Sequence, residues 1–219
     1  LDDARDPNKR YFALKGHINK HNPDTVISYS ASTSMITCLM KLLGARFNLI
    51  VSERNTTQDI TVRIKLRFFL YAWADLIVPN SFAQKDFIDR NFPRLTKKVN
   101  VITNFVDMEK FSPAPICNEE SETTNIVCVA RMACQKNIVR FIHVVSRLIS
   151  KGYKIHIDWF GHDLKDAYSD ECHRLLDEHN LSDIFKFHAP SSEIQEEYRK
   201  ADVFCLPSLY EGFPNVVCE

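Results

Sequence analysis

The chain has 219 residues, 45% hydrophobic and 11% aromatic, enough for one large domain or two small ones with real cores. Its 28 Lys and Arg balance 28 Asp and Glu, so no global field favours nucleic acid or an acidic membrane, and nucleic-acid binding is not expected. No apolar run reaches the length that spans a bilayer, and Leu1 in place of Met leaves a targeting segment open.

Short apolar runs alternate with longer helical patterns, the order expected of βαβ units and a parallel sheet. In the first half, strands are predicted at "TVISYS", "FNLIVSE", "DLIVPNS" and "VNVITNF", with helices over 34–43, 60–74 and 82–91 between them. Gly44 stands where a helix C-cap would. The stretch "TVRIKLRFFLYAWA" sets Arg63 and Arg67 one turn apart. Such a basic amphipathic helix can lie on a membrane or pack its aromatics against its own sheet, and both readings stand. From Phe111 to Asn125 the chain reads "FSPAPICNEESETTN", aperiodic and proline-bearing, so a linker is placed at 112–124 between domains at 1–111 and 125–219.

The second half repeats the alternation. Strand "IVCVAR" precedes a helix with Ile138, Phe141, Ile142, Val145, Leu148 and Ile149 on one face, closed by Gly152. Then come strand "KIHIDWFG", a helix to His179, strand "IFKFHA", a helix opened by the capping-box-like "SEIQ", and strand "DVFCLP". The turn "EGFPN" feeds a last helix with Pro214 at its first position. The expected fold class is α/β, with two Rossmann-like doubly wound domains and a binding cleft between them. The seven cysteines form no C-x-x-C pair and sit mostly in apolar runs, a pattern of reduced thiols in the cytosol. Cys218 reads as a small apolar filler on the last helix.

In an open parallel sheet, ligands lie beyond the carboxyl ends of the strands, so the residues there carry the chemistry. Arg131 and Lys136 follow one strand, Gly161 and His162 the next, His188 a third, and Glu211 to Asn215 the last. Two cations facing a helix N-terminus make a diphosphate cradle, although Arg131 and Lys136 also fit a solvated surface pair. No Gly-x-x-x-x-Gly-Lys loop or Gly-x-Gly-x-x-Gly fingerprint occurs, and no cofactor or metal site is expected.

"RMACQKN" and "EGFPNVVCE", a Glu, seven residues and a Glu, resemble the donor-site pattern of the retaining, GT-B-fold family 4 glycosyltransferases. "ADVFCLPSLYEGFPN" and "VNVITNFVDMEKFSP" extend that resemblance, which runs from about Asp24 onward. It implies transfer of a sugar, with retention, from a nucleotide diphosphate sugar of UDP or GDP type to a saccharide or lipid-linked acceptor. Arg131 and Lys136 would then grip the donor diphosphate, Glu211 the sugar hydroxyls and Glu219 the ribose. Gly212, Phe213 and Asn215 would form the turn against sugar and phosphate, with Gly161 and the loop holding His188 near the base. Glu53, Arg54 and Asn55 occupy an acceptor-side loop, where Glu53 and Arg54 could equally pair with each other. Ala130 and Phe105 stand where the family has Gly. The resemblance also implies a fragment, both domains incomplete and turnover in doubt, of a cytoplasmic enzyme that could sit on the inner face of the membrane. A non-catalytic sugar-nucleotide binder, a phosphorylase and a sugar-nucleotide epimerase are the alternatives.

Overall fold

The computed structural model describes residues 7–54, 57, 59–113 and 122–219, which divide into two compact units at Asn104/Phe105. That division lies ahead of the expected linker, because 105–113 is tied to the second unit. There Arg199 donates to Ser112, Lys110 donates to the Ser192 carbonyl, and Phe111 packs against Tyr198.

The first unit runs α1 (Pro7–His21), β1 (Thr25–Ser28), α2 (Ala31–Leu42), β2 (Asn48–Glu53), α3 (Val62–Leu70), β3 (Leu76–Pro79) and α4 (Phe82–Asn91), with 3-10 turns at Tyr71–Trp73 and Pro93–Lys98. Its sheet is parallel in the order β1-β2-β3. α1 has no counterpart among the predicted elements. Hydroxyls set the helix starts: Ser30, Thr61 and Ser81 accept from the amides of Thr33, Ile64 and Gln84, groups that would otherwise lack partners. Gly44, at φ +96°, takes the left-handed turn past α2 that a side chain would strain. Leu49, Val51, Phe68, Tyr71, Ile77 and Ile88 form the core.

The expected strand "VNVITNF" is not a strand. The Asn100 and Ile102 amides donate to the Ile77 and Pro79 carbonyls, and Val99 bridges Ile77. A parallel ladder next needs an amide at position 79, and Pro79 has none, so the pairing stops there.

The second unit runs β4 (Thr124–Val129), a 3-10 turn (Cys134–Lys136), α5 (Ile138–Ser150), β5 (Ile155–Phe160), α6 (Ala167–Glu178), β6 (Phe185–His188), α7 (Ile194–Lys200), β7 (Val203–Phe204) and α8 (Asn215–Cys218). The sheet is parallel in the order β6-β5-β4-β7. After β4 the chain builds outward to β6, then returns to pair β7 on the other side of β4. This reversal is a topological switch point, where a parallel sheet leaves a crevice at the carboxyl ends of its strands. Ile138, Ile142 and Val145 bury one stripe of α5 against Ile157, Trp159 and Phe185.

Two helix starts differ from expectation. The "SEIQ" capping box does not form: Glu193 is the N-cap of α7 without a side-chain bond, and Ser191 instead accepts from the Glu193 amide. A true box opens α6, where Asp166 accepts from Tyr168 and Ser169 while the Ser169 hydroxyl accepts from the Asp166 amide. Pro214 is the N-cap of α8 rather than its first residue, and Cys218 is exposed rather than a filler. No helix among the described residues is long and apolar enough to cross a membrane.

Candidate functional site

At the carboxyl ends of β4 and β7, two loops are sewn together. The Leu209 amide donates to the Gln135 carbonyl at 2.9 Å, Gln135 Nε2 donates to the Tyr210 carbonyl at 2.7 Å, and Asn137 Nδ2 donates to the Pro207 carbonyl at 3.1 Å. Asn137 sits in the left-handed region at φ 59°, which Asn tolerates better than most residues, and this turns the chain from the Cys134–Lys136 turn into α5. The stitching brings Lys136 Nζ to 2.5 Å from Glu211 Oε1, with the two side chains only 15% and 21% exposed. Two residues predicted from strand-end position, 75 apart in sequence, are thus an ion pair in the crevice. Gln135 and Asn137 were not singled out by their sequence, since they act through backbone carbonyls that leave no composition signal.

At the ends of β4 and β5 lies a hollow of about 220 Å³ lined by Arg131, Phe160, Gly161, His162, Ser191 and Val216 among others. Arg131 is exposed at this hollow. Glu211 compensates the charge of Lys136, so of the expected cation pair Arg131 is the member exposed at the hollow. The expected helix dipole is small, because α8 is a single turn and sums few peptide dipoles.

Gly161 has a structural reason to be glycine. A Cβ there would lie 2.0 Å from the Ala130 carbonyl oxygen, where the exits of β4 and β5 cross. That carbonyl also accepts from Trp159 Nε1 at 2.6 Å, and the Ala130 and Met132 amides donate to the Phe160 and His162 carbonyls. Gly161→Ala should therefore push the two strand ends apart and lower the unfolding free energy by about 3 kcal/mol, the upper end for overpacking. Urea unfolding followed by tryptophan fluorescence checks this; a wild-type midpoint would mean the crossing is loose.

Other candidates are placed apart. His188 Nε2 lies 2.5 Å from Asp158 Oδ1, and its ring stacks on Phe160 at 4.7 Å, so it backs the hollow rather than lining it. Asp158 also faces His156 at 3.4 Å. Gly212 and Phe213 are half-buried in the loop before α8, and Asn215 opens that helix. Glu219 does not join Glu211: its Oε2 accepts from the Tyr198 hydroxyl at 3.5 Å, beside a different hollow of about 210 Å³ that includes Phe111, Gln195 and Arg199. Burial, and then the Glu219 charge, push the Tyr198 hydroxyl well above its ordinary value.

In the first unit, Glu53 and Arg54 do not pair with each other, the alternative the sequence left open. Strand alternation puts Glu53 on the inward phase with Leu49 and Val51, leaving it 3% exposed. The Tyr71 hydroxyl donates to Glu53 Oε1, and Arg67 Nη2 lies 3.5 Å from Oε2. Burial raises the Glu53 carboxyl above its ordinary range, with Arg67 and Tyr71 opposing. Arg54 instead points outward to Asn104 at 3.4 Å, and Asn55 lies outside the described residues. Among the described residues no group of three His, Cys, Asp or Glu could hold a metal ion.

The parallel sheets and the switch point are those of a GT-B fold. Residues 123–219 match the family described as Glycosyl transferases group 1. Along most of its length the chain is similar to the amylovoran biosynthesis glycosyltransferase AmsD of Erwinia amylovora, 24% identical over 96% of this chain and 59% of that protein. It is also similar to a Campylobacter jejuni enzyme named N-acetylgalactosamine-N,N'-diacetylbacillosaminyl-diphospho-undecaprenol 4-alpha-N-acetylgalactosaminyltransferase, 24% identical over 90% of this chain and 54% of that one. The chain thus spans little more than half the length of these relatives. Among solved structures, sucrose-phosphate synthase from Thermosynechococcus elongatus superposes with a TM-score of 0.76 at 16% identity, over 95% of this chain and 56% of that one. Anabaena HepE in complex with UDP gives 0.72 at 16% identity, over 93% and 58%. At such identities these structures speak for the fold alone.

Proposed function

We propose that the second unit binds a nucleotide diphosphate sugar and that the whole protein transfers the sugar, with retention and without a metal ion, to a saccharide or lipid-linked acceptor. The observation that carries this reading is the Lys136–Glu211 pair, held by the stitched loops at the carboxyl ends of β4 and β7, the sheet end at which Arg131 edges a hollow. A diphosphate drawn by Arg131 competes with Glu211 for Lys136. As it takes the ammonium, it releases the Glu211 carboxylate to accept from sugar hydroxyls. When the bond from the anomeric carbon to the diphosphate oxygen breaks, the charge left on that oxygen is stabilised by both cations. Glu219 serves the ribose only if the turn carrying it moves toward the first hollow, and Glu53 supports the acceptor side from within the core. UDP is favoured as the donor nucleotide, because HepE is described in complex with UDP. Polysaccharide assembly on a lipid-linked acceptor fits the names of the relatives, amylovoran biosynthesis and a diphospho-undecaprenol glycosyltransferase.

The test is calorimetric titration of the whole gene product with UDP, GDP and ADP in EDTA. UDP is expected to bind, and Arg131→Ala to weaken it by roughly tenfold, about 1.4 kcal/mol. Binding that needs a divalent ion, or that ignores Arg131, overturns the metal-free cradle.

A further inference from the structure

β7 meets β4 at Ile126↔Val203 and Val127↔Phe204, and the ladder runs one step further, with the Cys205 amide donating to the Val127 carbonyl at 2.9 Å. The next facing pair is therefore Cys128 and Cys205, one free thiol on each strand. Facing residues of a parallel ladder point to the same side of the sheet, and both of these pack into the same core, Cys128 wholly buried and Cys205 partly so. Neighbouring strands run about 4.8 Å apart, within the roughly 4.4–6.8 Å between Cα atoms that a disulfide spans. A bond between these sulfurs thus asks for side-chain rotation and no displacement of the backbone.

The two sulfurs already interact, and unequally. The Cys128 thiol donates to the Cys205 sulfur, which holds Cys205 below its ordinary value and Cys128 above its own; burial opposes the first shift and adds to the second. Cys205 is thus the member that reaches the thiolate, the nucleophilic form. It is also the one an oxidant can reach, being partly exposed just past a two-residue strand at the end of the described sheet. Cys128 stands behind it as the thiol that resolves an oxidised partner. The other buried thiols differ: burial pushes Cys38 and Cys172 each up to about 12.

We propose that Cys128 and Cys205 are an oxidation site, joined by a hydroperoxide into a reversible disulfide that locks β7 onto β4 beneath the two stitched loops. The Cys205 thiolate attacks a peroxide oxygen, the O–O bond breaks, and the departing oxygen takes up the proton that Cys205 gave off, leaving a sulfenic acid. The Cys128 sulfur then attacks the Cys205 sulfur, and water leaves with the Cys128 proton. The thiols lose two electrons between them and the hydroperoxide is reduced to an alcohol, or to water where it is hydrogen peroxide. A small thiol reverses the bond by exchange. The bond sits three residues ahead of Arg131 and six ahead of Glu211, so it stiffens the roots of both loops without using a residue that the donor-site reading needs.

The experiment treats the folded whole gene product with hydrogen peroxide in a Cys117→Ser/Cys218→Ser background, so that the tryptic stretches 111–131 and 201–219 carry one thiol each. Mass spectrometry is expected to find these two stretches joined, with the cross-link lost on treatment with dithiothreitol. The oxidised protein is expected to melt above the reduced one, because the bond ties together positions far apart in the unfolded chain. Cys205→Ser should abolish both effects and leave the melting temperature of the reduced protein close to that of its parent; if serine unfolds the unit, Cys205→Ala gives the same reading. Oxidation confined to other thiols such as the exposed Cys134, with Cys128 and Cys205 unjoined, overturns the proposal. So does a cross-link that forms only in urea, or one that leaves the melting temperature unchanged or lower. None of these readouts needs a donor nucleotide, so they stand or fall apart from the donor-site reading.

Discussion

Lys136→Ala is expected to slow sugar transfer by about a hundred- to a thousandfold, or about 2.7–4 kcal/mol, while leaving the fold intact. The size follows from position: a 15% exposed ammonium aimed into a crevice works in a medium less screening than water. On the proposed reading its removal takes away a charge that stabilises the leaving diphosphate as it forms, a transition-state loss, so kcat should fall more than KM rises. A purely structural role would behave differently. The loops would remain sewn by Gln135 and Asn137 and the melting temperature would hold, yet Lys136→Arg, which keeps the charge, should recover a substantial part of the rate. Equal losses in the Ala and Arg variants, or a rate near wild type in Lys136→Ala, would remove Lys136 from the chemistry.

Glu53→Ala should lower the unfolding free energy by about 3–5 kcal/mol, the range for stripping one partner from a buried ion pair. It leaves the Arg67 guanidinium, itself 11% exposed, without its carboxylate, and the Tyr71 hydroxyl without its acceptor. Among the described residues, Arg67 retains Thr57 Oγ1 at 2.9 Å and the face of Phe68. The pH dependence carries a further sign. Because burial raises the Glu53 carboxyl in the folded state, its contribution to stability is present below the ordinary value of 4.5 and is lost as pH rises through the raised value. Glu53→Gln should therefore flatten the fall in stability above pH 4.5 relative to wild type, as read by denaturant unfolding across that range. A fall as steep as wild type in Glu53→Gln would mean that Glu53 titrates as an ordinary exposed carboxyl.

Much of the fold was legible in the order of apolar runs. Helix α4 spans the predicted 82–91, and seven of the predicted strands are present, six with shorter ends and β4 two residues earlier than expected. The failures have local causes that periodicity does not register. Segment 99–105 is apolar enough for a strand, but its ladder needs an amide that Pro79 lacks. "SEIQ" has the composition of a capping box, whereas the chain enters α7 one residue later through Glu193. The site was legible as positions: Lys136, Gly161 and Glu211 follow strands, and strand ends are where a parallel sheet puts its ligand. Their partnerships were not.

The sequence alone determined the α/β alternation, the parallel sheets and the strand-end residues, because each depends on a period or a neighbour within a few positions. Only the tertiary structure decided that Lys136 faces Glu211, that Glu219 turns instead to Tyr198, that Glu53 is held by Arg67 and Tyr71, and that Gly161 lies under the Ala130 carbonyl. Those outcomes follow from the order β6-β5-β4-β7 and from which face of each strand is buried. Strand order brings together residues 75 apart by satisfying the pairing of the whole sheet, and no local pattern carries that information.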